Sequence, residues 1–211
     1  MVIAKTDYDR AYFGDDPDIR RVSGYTEYKR WLRTADIRDA NNNLVFQSTG
    51  EFFKDLLLRF KNLQGIATNA KVLELGCAKG FMVEDARAAG IDWRGVDASP
   101  WAMSQCAPAI LPFVVNADAL TYLLTQGTNA YDYIVSFRFI ECIDDLEMPA
   151  LVTAMNKVGR KQVHVIDEAC NPQYYNAKTL EDWKAQFAWK KGTILVRNED
   201  FYSVNNKVLT A

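Results

Sequence analysis

No two of the four cysteines, Cys77, Cys106, Cys142 and Cys170, stand at a C-x-x-C spacing. That absence argues against both a cysteine zinc site and a disulfide framework, so the four read as reduced thiols. No apolar run reaches the roughly 18 residues that would carry a helix across a bilayer. A basic start followed by an apolar stretch and a small-residue cleavage site is missing after Met1, and a cytoplasmic location is the expectation. Nor is there a surplus of positive charge: 25 Lys and Arg are interspersed with 27 Asp and Glu, for a net charge of −2. Proteins that hold nucleic acid by its phosphates show a basic patch or stripe, so a polynucleotide partner is not expected. Internal repeats and low-complexity linkers are also missing, which leaves one structural unit.

What the chain does have is the composition of a globular domain, 49% apolar and 25% charged, at a length that buries a sizeable core. Its character changes near Lys71. Before that point there is no clear strand, and Thr26 to Ile37 and Ser48 to Leu63 read as helices separated by the turn chemistry of Asp39-Ala-Asn-Asn-Asn. Ser48 and Glu51 have the spacing of a capping box, and Phe52, Phe53, Leu56, Leu57, Phe60 and Leu63 then recur at helical intervals. From Lys71 onward short apolar runs alternate with helical patterns, as stacked βαβ units require. Strands are expected at Lys71–Leu75, Trp93–Asp97, Phe113–Asn116, Tyr133–Ser136, Val163–Ile166, Thr193–Val196 and Tyr202–Val204. Ser99 and Pro100 open one intervening helix, Asp144 and Glu147 would cap a second, and Thr179 to Phe187 form a third. The connection between the last two strands is too short for a parallel crossover. The expected fold is α/β: a doubly wound, mostly parallel seven-stranded sheet with helices on both faces and an antiparallel C-terminal hairpin. Residues 1–70 form an N-terminal helical extension to the sheet domain of residues 71–211.

In an open parallel sheet, ligands sit beyond the carboxyl ends of the strands, so residues there carry the functional weight. Glu74-Leu-Gly76-Cys77-Ala78-Lys-Gly80 joins a strand to its helix, and its glycines let the backbone turn tightly and approach a ligand at the helix N-terminus. About 20 residues on, Asp97 closes Gly95-Val96-Asp97, where a carboxylate accepts both hydrogen bonds of a ribose diol. Asp118, in Asn116-Ala117-Asp118-Ala119, stands where a carboxylate accepts from an adenine amino group. Taken singly, each has a plainer explanation: Glu74 as a surface acid, Asp97 as an N-cap, Asp118 as a helix-start carboxylate favoured by the dipole. Taken together, their order and spacing follow the nucleotide-site pattern.

The series Val72-Leu-Glu-Leu-Gly-Cys-Ala-Lys-Gly-Phe81, Gly95-Val-Asp-Ala-Ser99, Asn116-Ala-Asp-Ala119 and Tyr131-Asp-Tyr-Ile-Val-Ser136 resembles the motifs of class I, Rossmann-like S-adenosylmethionine-dependent methyltransferases, over residues 71–145. The resemblance implies S-adenosylmethionine as cofactor. Gly76, Cys77, Ala78 and Gly80 would border its methionine part, Asp97 its ribose and Asp118 its adenine, with Ser136, Phe137 and Arg138 near the methyl group and Glu74, Ala98 and Ala119 completing the contacts. The family consensus has glycine where Ala78 stands, and Gly-Cys-Ala-Lys-Gly is a familiar variant. A nicotinamide-dinucleotide oxidoreductase is the neighbouring alternative, but its loop wants G-x-G-x-x-G, and counting from Gly76 this chain has Ala78 and Phe81 at the second and third positions. A non-catalytic protein keeping the fold for binding is the other alternative.

Methyl transfer from a sulfonium needs alignment and a dry site more than acid–base machinery, so the acceptor is written less plainly than the cofactor. The Pro-Pro segment of enzymes that methylate amino groups of DNA bases is absent where Ser136-Phe-Arg-Phe139 stands, and no cysteine follows a proline as the cytosine-C5 enzymes require. Asp167-Glu168 is an acidic pair, but adjacent side chains diverge and no metal is expected. His164, inside Val163-His-Val-Ile166, reads as a satisfied core histidine in preference to a base. Candidates on the acceptor side are Arg138, Glu168 and Tyr25; Arg138 would pair with an anionic substrate group unless Glu141, three residues on, takes it. Tyr8-Asp-Arg-Ala-Tyr-Phe13 followed by Gly24-Tyr25 resembles the lead-in of bacterial and phage methyltransferases associated with small molecules or glycans. The expected acceptor is an O or N atom of such a molecule, and residues 8–25 either pack on the sheet or lie over the pocket as a lid.

Overall fold

The computed structural model describes residues 37–38, 41–49, 51–166, 178–197 and 208–210. It opens on a two-stranded ribbon, β1 (Ile37–Arg38) paired antiparallel with β2 (Leu44–Phe46). Asn42 in the turn takes φ 65, a left-handed value that asparagine tolerates, and its carbonyl accepts a hydrogen bond from the Arg38 guanidinium at 3.0 Å. The ribbon corrects the expectation that no strand precedes Lys71 and that a helix reaches Ile37: apolar and β-branched residues flanking a turn with φ > 0 favour a hairpin. The rest of that expected helix, from Thr26, lies outside the described residues.

Helix α1 (Phe52–Gln64) starts without a side-chain cap from Glu51 and stops at Gly65 in the left-handed conformation. In place of the expected Ser48–Glu51 capping box, the Asp55 carboxylate accepts from the Ser48 hydroxyl, and from the amide and hydroxyl of Thr49 at 2.7 Å each. A carboxylate in the first turn also suits the positive end of the helix.

Six parallel strands follow: β3 (Lys71–Leu75), β4 (Asp92–Asp97), β5 (Val114–Asn116), β6 (Tyr131–Phe137), β7 (Gly159–Ile166) and β8 (Ile194–Arg197), in the spatial order β5-β4-β3-β6-β7-β8. The chain winds outward from β3 to β5, then crosses back to β6, so the order reverses between β3 and β6, where open α/β sheets hold their ligands. The helices are α2 (Phe81–Ala88), α3 (Pro100–Ser104), α4 (Ala119–Leu124), α5 (Met148–Val158) and α6 (Leu180–Gln186), with 3-10 turns at Pro108–Phe113 and Ile140–Cys142. A seventh strand, β9 (Val208–Thr210), lies antiparallel against β8, with Ile194 opposite Thr210. The expected hairpin strand at Tyr202–Val204 lies outside the described residues, and the antiparallel partner of β8 is this later segment.

Side chains alternate across the sheet and are buried on both faces. Val72, Trp93, Val135, Val163 and Val196 join residues of α1 and α2 on one side; Leu73, Leu75, Val96, Ile134 and Leu195 join α4, α5 and α6 on the other. Helix α1 enters the first core through Phe53, Leu56, Leu57 and Phe60, with the Phe60 ring 6.4 Å from Trp93. The core of the sheet therefore includes residues on the N-terminal side of Lys71.

One of the expected caps forms: Ser99 accepts from the Ala102 amide with Pro100 at the first helical position. A capping box of Thr179 and Asp182, which was not among the expectations, opens α6. At α5 the expectation fails: Glu147 makes no side-chain cap, and the Asp144 carboxylate instead accepts from the Leu146 amide at 2.7 Å. Pro149, in the first turn of that helix, has no N–H for a cap to bind. No helix among the described residues is long and apolar enough to cross a membrane.

Candidate functional site

Beyond Leu75 the chain turns into α2 within five residues. Gly76 and Gly80 take φ 72 and φ 70, and Ala78 between them takes φ 47, a region that glycine enters freely and alanine only with strain. The loop is pinned to the end of β4: the amides of Gly76 and Cys77 donate to the Val96 carbonyl at 2.9 and 3.2 Å, and the Gly80 amide donates to the Cys77 carbonyl at 2.8 Å. The Ala78 amide donates to one oxygen of Asp97 at 2.8 Å, and the other oxygen accepts from the Ser99 amide at 2.8 Å. Asp97 thus spans from the glycine loop to the start of α3, while the cap of that helix is Ser99. Burial raises the Asp97 pKa, and the bonds from Ser99 and Ala78 pull it back.

Glu74 is no surface acid: it is 4% exposed, and its carboxyl accepts from the Trp93 indole N–H at 3.0 Å. Its pKa is pushed up to about 8, chiefly by burial; the Trp93 bond opposes the rise and the charge of Asp97 adds to it. Asp118 is half-buried at the end of β5 and caps α4 through the Thr121 amide at 2.9 Å. The Ala117 amide and the Asn116 side-chain amide both donate to the Asp97 carbonyl, at 3.0 and 2.9 Å, so Asp97 and Asp118 stand on neighbouring strand ends. The fold brings Glu74, Gly76, Ala78, Gly80, Asp97, Ala98 and Asp118 to one carboxyl edge.

Other expected residues reach that edge but turn their side chains inward. The Cys77 thiol packs against Gly95, where a Cβ would meet Sγ at 2.5 Å, and burial above all holds its pKa well above the usual thiol range. Ala119 is buried in the core with Leu123, and Phe137 packs half-buried against the opposite core. The Ser136 hydroxyl is fully buried and lies 2.9 Å from His164 Nδ1, on the α5 side of the sheet. His164 is satisfied from its other nitrogen too, Nε2 lying 3.3 Å from Gln162 Oε1, and its ring is 5.4 Å from Trp189. Burial pushes its pKa down to about 3, so it is neutral and unsuited to act as a base. Arg138 closes β6 in the left-handed conformation, φ 52, its amide donating to Val165 at 2.8 Å. Tyr25, Asp167, Glu168 and the whole of residues 8–25 lie outside the described residues.

The sequence reading passed over three residues. Phe139 lies against the glycine loop: a Cβ on Gly76 would stand 2.6 Å from its ring. Lys79, buried within the loop, places its ammonium 4.9 Å from the ring centre of Trp101 on α3. Trp93 is the partner of Glu74. The available signal was positional, since each lies in or beside a quoted motif, but their contacts join different strands and helices.

Residues 46–199, from the end of β2 past β8, match the methyltransferase domain family. No curated protein matches the chain. Similar solved structures include a SAM-dependent methyltransferase from Archaeoglobus fulgidus, at 19% identity over 69% of this chain and 52% of that one, with a TM-score of 0.42. An N-methyltransferase from Haemonchus contortus, in complex with phosphomonomethylethanolamine and S-adenosylhomocysteine, is similar at 19% identity over 72% of this chain and 29% of that one, with a TM-score of 0.44. A protein from Anabaena variabilis described as a methyltransferase of an antibiotic biosynthesis pathway is similar at 18% identity over 50% and 41% of the two chains, with a TM-score of 0.43. The chain spans about half or less of the length of each of these structures. With the glycine loop and its flanking acids on the carboxyl edge of a 3-2-1-4-5-6 parallel sheet, and the match running through that whole sheet, the chain belongs to the methyltransferase domain family, of the class I fold whose methyl donor is S-adenosylmethionine.

Proposed function

We propose that the protein transfers a methyl group from S-adenosylmethionine to an oxygen or nitrogen atom of a small-molecule or glycan-type acceptor. The observation that carries the cofactor part is the Asp97 carboxylate, held beside the glycine loop by the amides of Ala78 and Ser99. An ionised carboxylate has about four acceptor positions, so two remain for the hydroxyls of a ribose. The bare backbone of Gly76 and Gly80 borders the methionine part, with Glu74 behind it, and Asp118 meets the adenine. S-adenosylmethionine supplies an electrophilic methyl group on a sulfonium. The chain's own contribution is to bind, orient and shield the reactants, and alignment of two reactants lowers a barrier by up to roughly 7–11 kcal/mol.

A nicotinamide dinucleotide is a poorer fit. Where its loop would want a third glycine, Phe81 fills the space and packs 5.4 Å from Phe53. The acceptor class is supported by the balanced charge of the chain and by the missing base-methylating motifs. Thermal unfolding with each ligand tests the reading: S-adenosylmethionine and S-adenosylhomocysteine should raise the melting temperature and NAD should not. Stabilisation by NAD alone would overturn it. Candidate acceptors are then screened for S-adenosylhomocysteine release.

A further inference from the structure

Phe139 lies two residues beyond β6 and folds back over the glycine loop. A Cβ on Gly76 would meet its Cδ2, Cγ and Cβ atoms at 2.6, 3.0 and 3.1 Å, so both stem and ring rest on the bare backbone of Gly76. The two come from adjacent strand ends, since Leu75 and Ser136 are register partners in the parallel pair of β3 and β6. Arg138 makes the fold-back possible by adopting φ 52. Non-glycine residues held there are strained, and such strain gathers at functional sites. The turn is tied down by three contacts: the Arg138 amide to Val165 at 2.8 Å, the Cys142 amide to the Phe139 carbonyl at 2.9 Å, and the Cys142 thiol to the Arg138 carbonyl at 3.8 Å. Phe139 packs against the core on the α5 side yet is only half-buried, so part of its apolar surface remains open at the carboxyl edge.

We propose that the Phe139 ring is the wall against which the sulfonium end of S-adenosylmethionine rests, and that it lets the site distinguish the charged donor from the neutral product. This rests on the reading of the glycine loop as the seat of the methionine part. Asp97 flanks the glycine loop from β4; Phe139 flanks it from β6, on the side of Gly76 away from the ribose-holding acid. The face of an aromatic ring carries partial negative charge and attracts a cation placed over it. Transfer of the methyl group turns the sulfonium into a neutral thioether. The attraction then ends, and the product is held less tightly than the donor.

Calorimetry with S-adenosylmethionine and S-adenosylhomocysteine on the full chain tests the proposal in wild type, in Phe139→Leu, and in a series with progressively fluorinated phenylalanine at position 139. Fluorination drains the ring face while keeping its shape, so that series decides the matter even if Phe139→Leu fails to fold. Phe139→Leu should weaken S-adenosylmethionine by roughly 2- to 30-fold, the range of a cation–π contact, and S-adenosylhomocysteine by less than about twofold. Donor affinity should fall stepwise with fluorination while product affinity holds. Equal loss for both ligands, or no response to fluorination, would sink the assignment and leave the ring as packing. Wild type binding neither ligand would overturn the cofactor reading itself, and this assignment with it.

Discussion

The hydroxyl of Ser136 on β6 lies 2.9 Å from Nδ1 of His164, its register partner on β7. Obligate donors fix the direction of that bond. The Lys190 amide and the Gln162 side-chain amide both donate to Asn156 Oδ1 at 2.9 Å, so Gln162 turns its carbonyl toward His164. Nε2 must then carry the ring proton, and Nδ1 accepts from Ser136. The chain of bonds runs from the carboxyl end of β6 to the last turn of α5, and burial keeps the imidazole within it neutral.

The first prediction follows from that neutrality. His164 titrates near 6.5 when unfolded and near 3 when folded. Below pH 6.5 the unfolded chain therefore binds a proton that the folded chain refuses, and stability falls on acidification by about 1.4 kcal/mol per pH unit from this group. Glu74 acts in the opposite sense, because its folded pKa is raised from 4.5 to about 8 and the folded state is the one that holds the extra proton. Between pH 6.5 and 5 the two contributions should nearly cancel in the wild type. His164→Gln removes one of them, so its stability relative to wild type should climb as pH falls through that window. Denaturant unfolding at three pH values measures the slope; parallel wild-type and variant curves would mean that His164 titrates normally.

Asp97→Asn tests the centre of the site. The amide keeps one acceptor oxygen but turns an N–H2 group toward either Ala78 or Ser99, whose amides now donate at 2.8 Å each. Losing charge-assisted bonds of about 1.5–3 kcal/mol should weaken S-adenosylhomocysteine roughly 10- to 150-fold in calorimetry. Some loss of stability should accompany it, because the clasp on the loop goes as well. A lowered melting temperature with unchanged ligand affinity would confine Asp97 to clasping the loop.

What could be read from the residues alone was what neighbours decide. Ser99 with Pro100 is a cap written within four positions, and it forms. The apolar run at Lys71–Leu75 needed no partner to be recognised as a strand. Misreadings arose where a partner further along the chain outcompeted a nearer one: in place of a Ser48 and Glu51 box, the Asp55 carboxylate gathers the Ser48 hydroxyl and the amide and hydroxyl of Thr49, and β8 paired with Val208–Thr210. The site divides the same way. Gly76, Asp97 and Asp118 were visible because strand ends and spacing locate them. The burial of Glu74 depends on Trp93 across a strand pair, and the place of Phe139 over Gly76 depends on β3 and β6 being neighbours, which no local pattern encodes.

Ala78 supplies the third prediction. At φ 47 an L residue carries strain of about 1–2 kcal/mol, and glycine would remove it while losing about 0.4–1 kcal/mol to a freer unfolded chain. Ala78→Gly should therefore be neutral or stabilising by up to about 1.5 kcal/mol, read from the denaturant midpoint. Ala78→Val, β-branched in the same conformation, should be clearly destabilised. A destabilised glycine variant would show that the alanine methyl contributes more by packing than the turn loses by strain.

The last prediction sets stability against binding at Glu74. The wild-type folded state holds a proton on this carboxyl up to about pH 8, whereas the unfolded state gives it up near 4.5. Stability from this group is thus fully present below pH 4.5 and is lost as pH rises toward 8. Glu74→Gln is neutral at every pH and still offers the Trp93 indole an acceptor at the same place. The variant should match wild type near pH 4.5 and exceed it increasingly at higher pH, by a few kcal/mol at pH 8, on the order of 1.4 kcal/mol for each unit of displaced titration. An acid kept at such a disadvantage in the core is expected where function needs it, and Glu74→Gln should accordingly bind S-adenosylmethionine more weakly than wild type even while melting higher. Both readings come from one protein sample at pH 8: calorimetry for the ligand and denaturant unfolding for the fold. A variant that gains stability and binds the cofactor as well as wild type would show that Glu74 serves only to hold Trp93 against the sheet.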